Sequence, residues 1–103
     1  MNAAHALAHE LGTSEAVQLG RRYREIAADG MGRLTDALRV GDSARAHTVV
    51  LTLLISSEMV GADNFAAELR PLLVPLREGR TEPAEQAMPR LAALAGTSTL
   101  TVL

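Results

Sequence analysis

Hydrophobic positions recur every three or four residues along most of the chain, the spacing that gathers them on one side of an α-helix. A short first helix is expected over residues 3–11, capped by Asn2 and stopped by Gly12, a residue type that readily adopts the left-handed conformation at helix ends. A second begins at Thr13 or Ser14 and carries Leu19, Tyr23, Ile26, Gly30, Leu34 and Leu38 on one stripe, ending near Arg39. Gly30 and Gly32 each weaken it by about 1 kcal/mol relative to alanine. A glycine on the apolar stripe also lets a neighbouring helix approach closely, which is the role expected of Gly30.

The next segment breaks the pattern. After Gly41 and a cap at Asp42 or Ser43, residues 43–60 place Ala44, Ala46, Val49, Val50, Leu51, Leu53, Leu54, Ile55, Met59 and Val60 almost all round the helix. Such a helix is either enclosed by its neighbours or offers apolar surface to a partner. Gly61 ends it, and Asp63 or Asn64 caps a fourth helix buried through Phe65, Leu69, Leu72, Leu73 and Leu76. Pro71 and Pro75 each remove an amide donor, at about 3 kcal/mol in a regular helix interior, so a kink or restart is expected near Arg70. Gly79 closes this segment. Thr81 caps a fifth, with Pro83 in its first turn, a weaker apolar face at Ala84, Ala87, Met88, Leu91 and Leu94, and a bend at Pro89.

Every connection is short, so the fold class expected is all-α: an up-and-down antiparallel four-helix bundle with a short extra N-terminal helix. Residues 1–96 are read as one domain, and the β-prone, uncharged residues 97–103 as an apolar tail, disordered or bound to a partner.

Composition narrows the function. The 103 residues include one Phe, one Tyr and no Trp, so the core rests on aliphatic side chains and many alanines. The formal charge is −2 and the ten Lys and Arg are scattered, which speaks against nucleic-acid binding. With no Cys there is no disulfide, thiolate metal site or thiol nucleophile, a usage that fits a reducing cytoplasm. The opening MNAAHALAHELG has neither a basic start nor an adequate apolar run, so no signal peptide is expected. The longest near-uninterrupted apolar run, Val49 to Ile55, is far below the roughly 20 residues of a membrane span.

Residues 42–62, DSARAHTVVLTLLISSEMVGA, resemble the histidine-containing phosphotransfer (HPt) domains of bacterial phosphorelays. That family's motif runs from an acidic residue after a glycine, nine residues to the phosphorylated His, then Thr or Ser, Leu, Lys, Gly, small residues and a closing Gly-Ala. Asp42, Thr52, Leu53, Ser56, Ser57, Gly61 and Ala62 match it without gaps. The flanking LTDALRVGD and FAAELRPLLVPLREGR are similar to the family's neighbouring helices, extending the likeness over about residues 17–95. The reactive positions depart: Leu51 stands at the phosphoacceptor, Leu54 at the Lys and Ile55 at the Gly.

Phosphotransfer needs an exposed imidazole nitrogen and a nearby cation, which leucine cannot supply. The resemblance therefore implies a non-enzymatic protein-interaction module in two-component signalling. It would bind a receiver domain, a kinase or a second copy of itself through Leu51, Leu54, Ile55 and the adjacent His47. The alternative is an active phosphotransfer protein using His47, one turn before Leu51 on the same side of the helix. Arg45 is its only near cation in sequence, and no lysine adjoins it.

His5 and His9, spaced i, i+4 beside Glu10, have the spacing of a metal pair, but on a short alanine-rich helix they are read as chance neighbours. Ser56 and Ser57 lack a positioned base or a strained elbow and are read as small packing residues. Arg21, Arg22, Arg24, Glu25 and Asp29 read as a solvated face, as do Arg70, Arg77, Glu78 and Arg80. No cofactor and no metal is expected.

Overall fold

The structure is a computed structural model that describes the backbone of residues 13–102 and the side chains of residues 17–96. The first helix expected over 3–11, with His5 and His9, lies outside the described residues. Among those described the chain is all-helical. The elements are α1 (Thr13–Arg39), α2 (Ser43–Val60), α3 (Asp63–Leu69), a 3₁₀ turn (Arg70–Leu72), α4 (Leu73–Arg77) and α5 (Glu82–Val102).

Three glycines set the turns. Gly41, Gly61 and Gly79 have φ of 71°, 77° and 86°, in the left-handed region that a side chain would strain. After each, the next amide reaches back across the helix end: Asp42 to the Ala37 carbonyl, Ala62 to Ser57 and Arg80 to Pro75, all at 2.8 Å. This double-backed closure satisfies carbonyls that the helix end would leave orphaned and reverses the chain within a few residues. Asp42 then starts α2 by accepting the Arg45 amide at 3.0 Å, a cap worth about 1 kcal/mol.

The prolines act as expected near Arg70. The run from Asp63 to Arg77 is split by the 3₁₀ turn that contains Pro71, and helix resumes at Leu73. Pro89 lies inside α5, which is assigned as one uninterrupted helix. That helix also runs through Gly96 to Val102, so the backbone of the β-prone tail continues α5 where the sequence suggested a separate segment. A helix already nucleated adds residues at small cost, and strand preference in a short segment with no edge to pair with cannot compete.

Packing follows a closed order of neighbours. Helix α1 touches α2 and α5, α2 touches α3 and α4, and α3 touches α5. Tyr23 meets Ser57 and Gly30 meets Leu53, so α1 and α2 pass each other in opposite senses. The molecule measures 42 × 21 × 19 Å. Its core holds Tyr23, Leu34, Val50, Leu53, Phe65, Leu69, Leu76 and Leu91, with Ala27, Ala37, Ala46, Ala66 and Ala84 between them. The alanines keep the helices close while each large aliphatic or aromatic side chain contributes roughly 1.5–3 kcal/mol by leaving water.

Two residues of α1 fall elsewhere than their spacing suggested. Ile26 is exposed and Ala27 takes the core position, because the stripe follows Tyr23, Ala27, Gly30 and Leu34. Arg24 is half-buried, its Nε shielded from solvent and without a hydrogen-bond partner among the described residues. The solvated face of α1 carries an ion pair between Arg33 and Asp29 at 2.8 Å.

Candidate functional site

Helix α2 divides into two sides. Ala46, Val50, Leu53, Leu54, Ser57 and Val60 are buried, and at 100° per residue they fall on one half of the helix. The opposite half carries Ala44, Thr48, Leu51, Thr52, Ile55, Glu58 and Met59, all exposed. Among the described residues, neighbouring helices therefore do not enclose α2. Leu51, Ile55 and Met59, spaced i, i+4, i+8, keep 39%, 53% and 66% of their surface in contact with solvent.

Thr48 and Thr52 add to this stripe instead of interrupting it. Their hydroxyls donate to the carbonyls of Ala44 and Thr48 at 3.2 and 3.0 Å, so what each offers beyond the helix backbone is largely its methyl group. Between Arg45 and Glu58 the sequence holds no Asp, Glu, Lys or Arg. Val74 on α4, which packs against α2, is 50% exposed, and Ile26 on α1 is exposed as well. The Arg70–Glu58 ion pair, at 3.4 Å, ties the start of the 3₁₀ turn to the end of α2.

The four positions singled out for partner binding are not all on this surface. Leu51 and Ile55 are outward. Leu54 is 6% exposed and belongs to the core, a correction to its reading as part of the patch, since one residue of helix rotation carries it away from Ile55 and towards the interior. His47 is half-buried at the margin of the outer side. The stripe instead continues through Met59, which the sequence showed as apolar without saying which way it points.

No family model, curated protein or solved structure matches the chain.

Among the described residues, one buried pair of polar side chains joins α1 to α2. Ser57 Oγ donates to the Leu53 carbonyl at 2.7 Å, so its proton is committed and the Tyr23 hydroxyl is the donor across to Ser57 Oγ at 3.2 Å. Ser57 is thus more than the small packing residue it resembled: it satisfies the phenol of the only tyrosine in the chain. A tyrosine facing a serine from a neighbouring helix leaves no signal in a single sequence. Burial holds the Tyr23 hydroxyl above its ordinary value of 10.0, and the hydrogen bond with Ser57 offsets part of that rise.

The sign of the linkage follows. A raised folded-state pKa keeps the proton on in the native state while the unfolded chain releases it, so this contribution is intact below pH 10 and is lost as pH rises through the folded value. Tyr23→Phe is expected to cost about 1 kcal/mol at pH 7 and to flatten the fall in stability above pH 10, read from urea titrations across that range. An equally steep alkaline loss in the variant would contradict it.

Among the described residues no group of His, Asp or Glu is placed to hold a metal ion, and no helix is long and apolar enough to cross a membrane.

Proposed function

We propose that the protein is a non-catalytic interaction module, an up-and-down antiparallel helical bundle of HPt-like type that binds a protein partner in two-component signalling through the outer side of α2. The observation that carries the reading is the stripe Leu51–Ile55–Met59: three large apolar side chains exposed in succession on a helix whose other half is already committed to the core. Val74, on the neighbouring α4, is half exposed as well, and an exposed apolar patch on a monomer is often a functional one.

The closed order of helix neighbours and the three short glycine turns support the bundle topology. The outward position of Leu51, where the family resemblance puts its phosphoacceptor, supports the choice of surface. A leucine there takes up no phosphoryl group, and docking rests on desolvating the stripe.

Affinity capture with the tagged full chain, compared with an Ile55→Lys/Met59→Lys variant of unchanged helical content, tests the reading. The variant is expected to lose a specific partner at least tenfold; an identical set of captured proteins would refute it. Incubation with a phosphorylated receiver domain tests the non-catalytic part. No acid-labile label is expected, and label that disappears in His47→Gln would transfer the role to His47.

A further inference from the structure

We propose that Met59 is a reversible oxidation site, at which a hydroperoxide converts the thioether to a sulfoxide and turns the last-turn end of the α2 stripe polar. The site is read from exposure and chemistry; its effect on binding rests on the docking reading above.

Composition leaves an oxidant few alternatives. The chain has no Cys and no Trp, and its one Tyr is buried against Ser57. Met31 and Met88 are half-buried and packed against the core, whereas Met59 keeps 66% of its surface in contact with solvent, more than Leu51 or Ile55. Among the described residues Met59 is therefore the one exposed sulfur. A peroxide oxygen has to reach a sulfur lone pair, so exposure sets which methionine reacts first.

The step needs only the oxidant. A sulfur lone pair attacks one oxygen of hydrogen peroxide, and the S–O bond forms as the O–O bond breaks. The proton on the attacked oxygen passes to the departing hydroxide, which leaves as water. Sulfur gives up two electrons and the peroxide takes them. A methionine sulfoxide reductase returns the thioether, with two thiols oxidised to a disulfide and the oxygen released as water.

Position makes the change a local one. Met59 lies on the half of α2 that faces away from the core, so an added oxygen meets water and leaves Leu53, Ser57 and Val60 packed as they are. The same oxygen on Met31 or Met88 would be pressed against the core. On the stripe Leu51–Ile55–Met59, the sulfoxide replaces apolar surface with a hydrogen-bond acceptor that a docked partner has to strip of water.

Timed treatment of the full folded chain with hydrogen peroxide, followed by digestion at arginine and mass spectrometry, reads the sites separately. Met31, Met59 and Met88 fall on three different arginine-terminated peptides. Met59 is expected to gain its oxygen at least about fivefold faster than Met31 or Met88, with helical content unchanged. The oxidised protein is expected to elute earlier from a phenyl column than the untreated chain and to return to its original position after sulfoxide reductase with dithiothreitol. Met59→Leu is expected to hold its position through the same peroxide treatment. Oxidation of Met31 or Met88 as fast as Met59, loss of helix on oxidation, or an elution shift that persists in Met59→Leu overturns the proposal. Affinity capture with Ile55→Lys separates this from the docking reading. Selective oxidation of Met59 with capture unchanged in Ile55→Lys keeps the oxidation site and rejects the docking face; capture lost in Ile55→Lys but retained by the oxidised wild type rejects the switch.

Discussion

Replacing Gly30 with valine is expected to lower the stability of the protein by about 3 kcal/mol, although the substitution sits in the middle of a helix where glycine is a poor helix former. A Cβ at Gly30 would lie 2.8 Å from Leu53 Cγ, well inside van der Waals contact. Leu53 is itself buried on all sides, so it cannot swing clear without displacing its own neighbours. The crossing of α1 and α2 would have to open, and that crossing also positions the outward half of α2.

Gly32, two residues on, supplies the control: it is exposed and a Cβ there meets nothing within 4 Å. Gly32→Ala is expected to gain up to about 1 kcal/mol from helix propensity alone. Urea denaturation of the two series checks both values. Leu53→Ala should recover part of the Gly30→Val loss, since the two changes share one volume and their effects cannot be additive. A Gly30→Ala protein stabilised as much as Gly32→Ala would show that the helices do not meet there.

Much of the helical framework was legible because its signals are local. Gly41, Gly61 and Gly79 end helices by a requirement of their own backbone, and Asp42 caps by reaching an amide three residues away. Pro71 announces the break after Leu69 for the same reason, since the missing donor belongs to the residue itself. Gly30 was legible as a close-approach position because it interrupts an apolar stripe.

What could not be read was direction. On α2 nearly every position is apolar, so hydrophobic periodicity has no polar side to contrast with and cannot say that Leu54 faces in while Ile55 and Met59 face out. The same degeneracy allowed a fully enclosed helix to be expected as readily as a half-exposed one. Leu51, Leu54 and Ile55 were grouped by motif position, and the fold separates them by packing. Tyr23 with Ser57 stayed hidden because the pair joins two helices, and nothing in either segment names the other. The strand-like composition after Gly96 misled in the opposite way, local preference giving way to continuation of a helix already formed.

The most direct test of an α2 with one side in the core and one side open is a comparison of Leu54→Asp with Ile55→Asp in dilute protein, by urea denaturation followed through far-UV circular dichroism. The residues are adjacent, mid-helix and apolar, and aspartate imposes the same propensity cost of under about 1 kcal/mol at each. Only their burial differs. Leu54→Asp, putting a short carboxylate into the core, is expected to lose about 4 kcal/mol or more, a large part of the roughly 5–15 kcal/mol that holds a domain folded. Ile55→Asp is expected to lose no more than the propensity cost. Equal, severe losses at both positions would mean that α2 is enclosed on all sides and has no face to offer a partner.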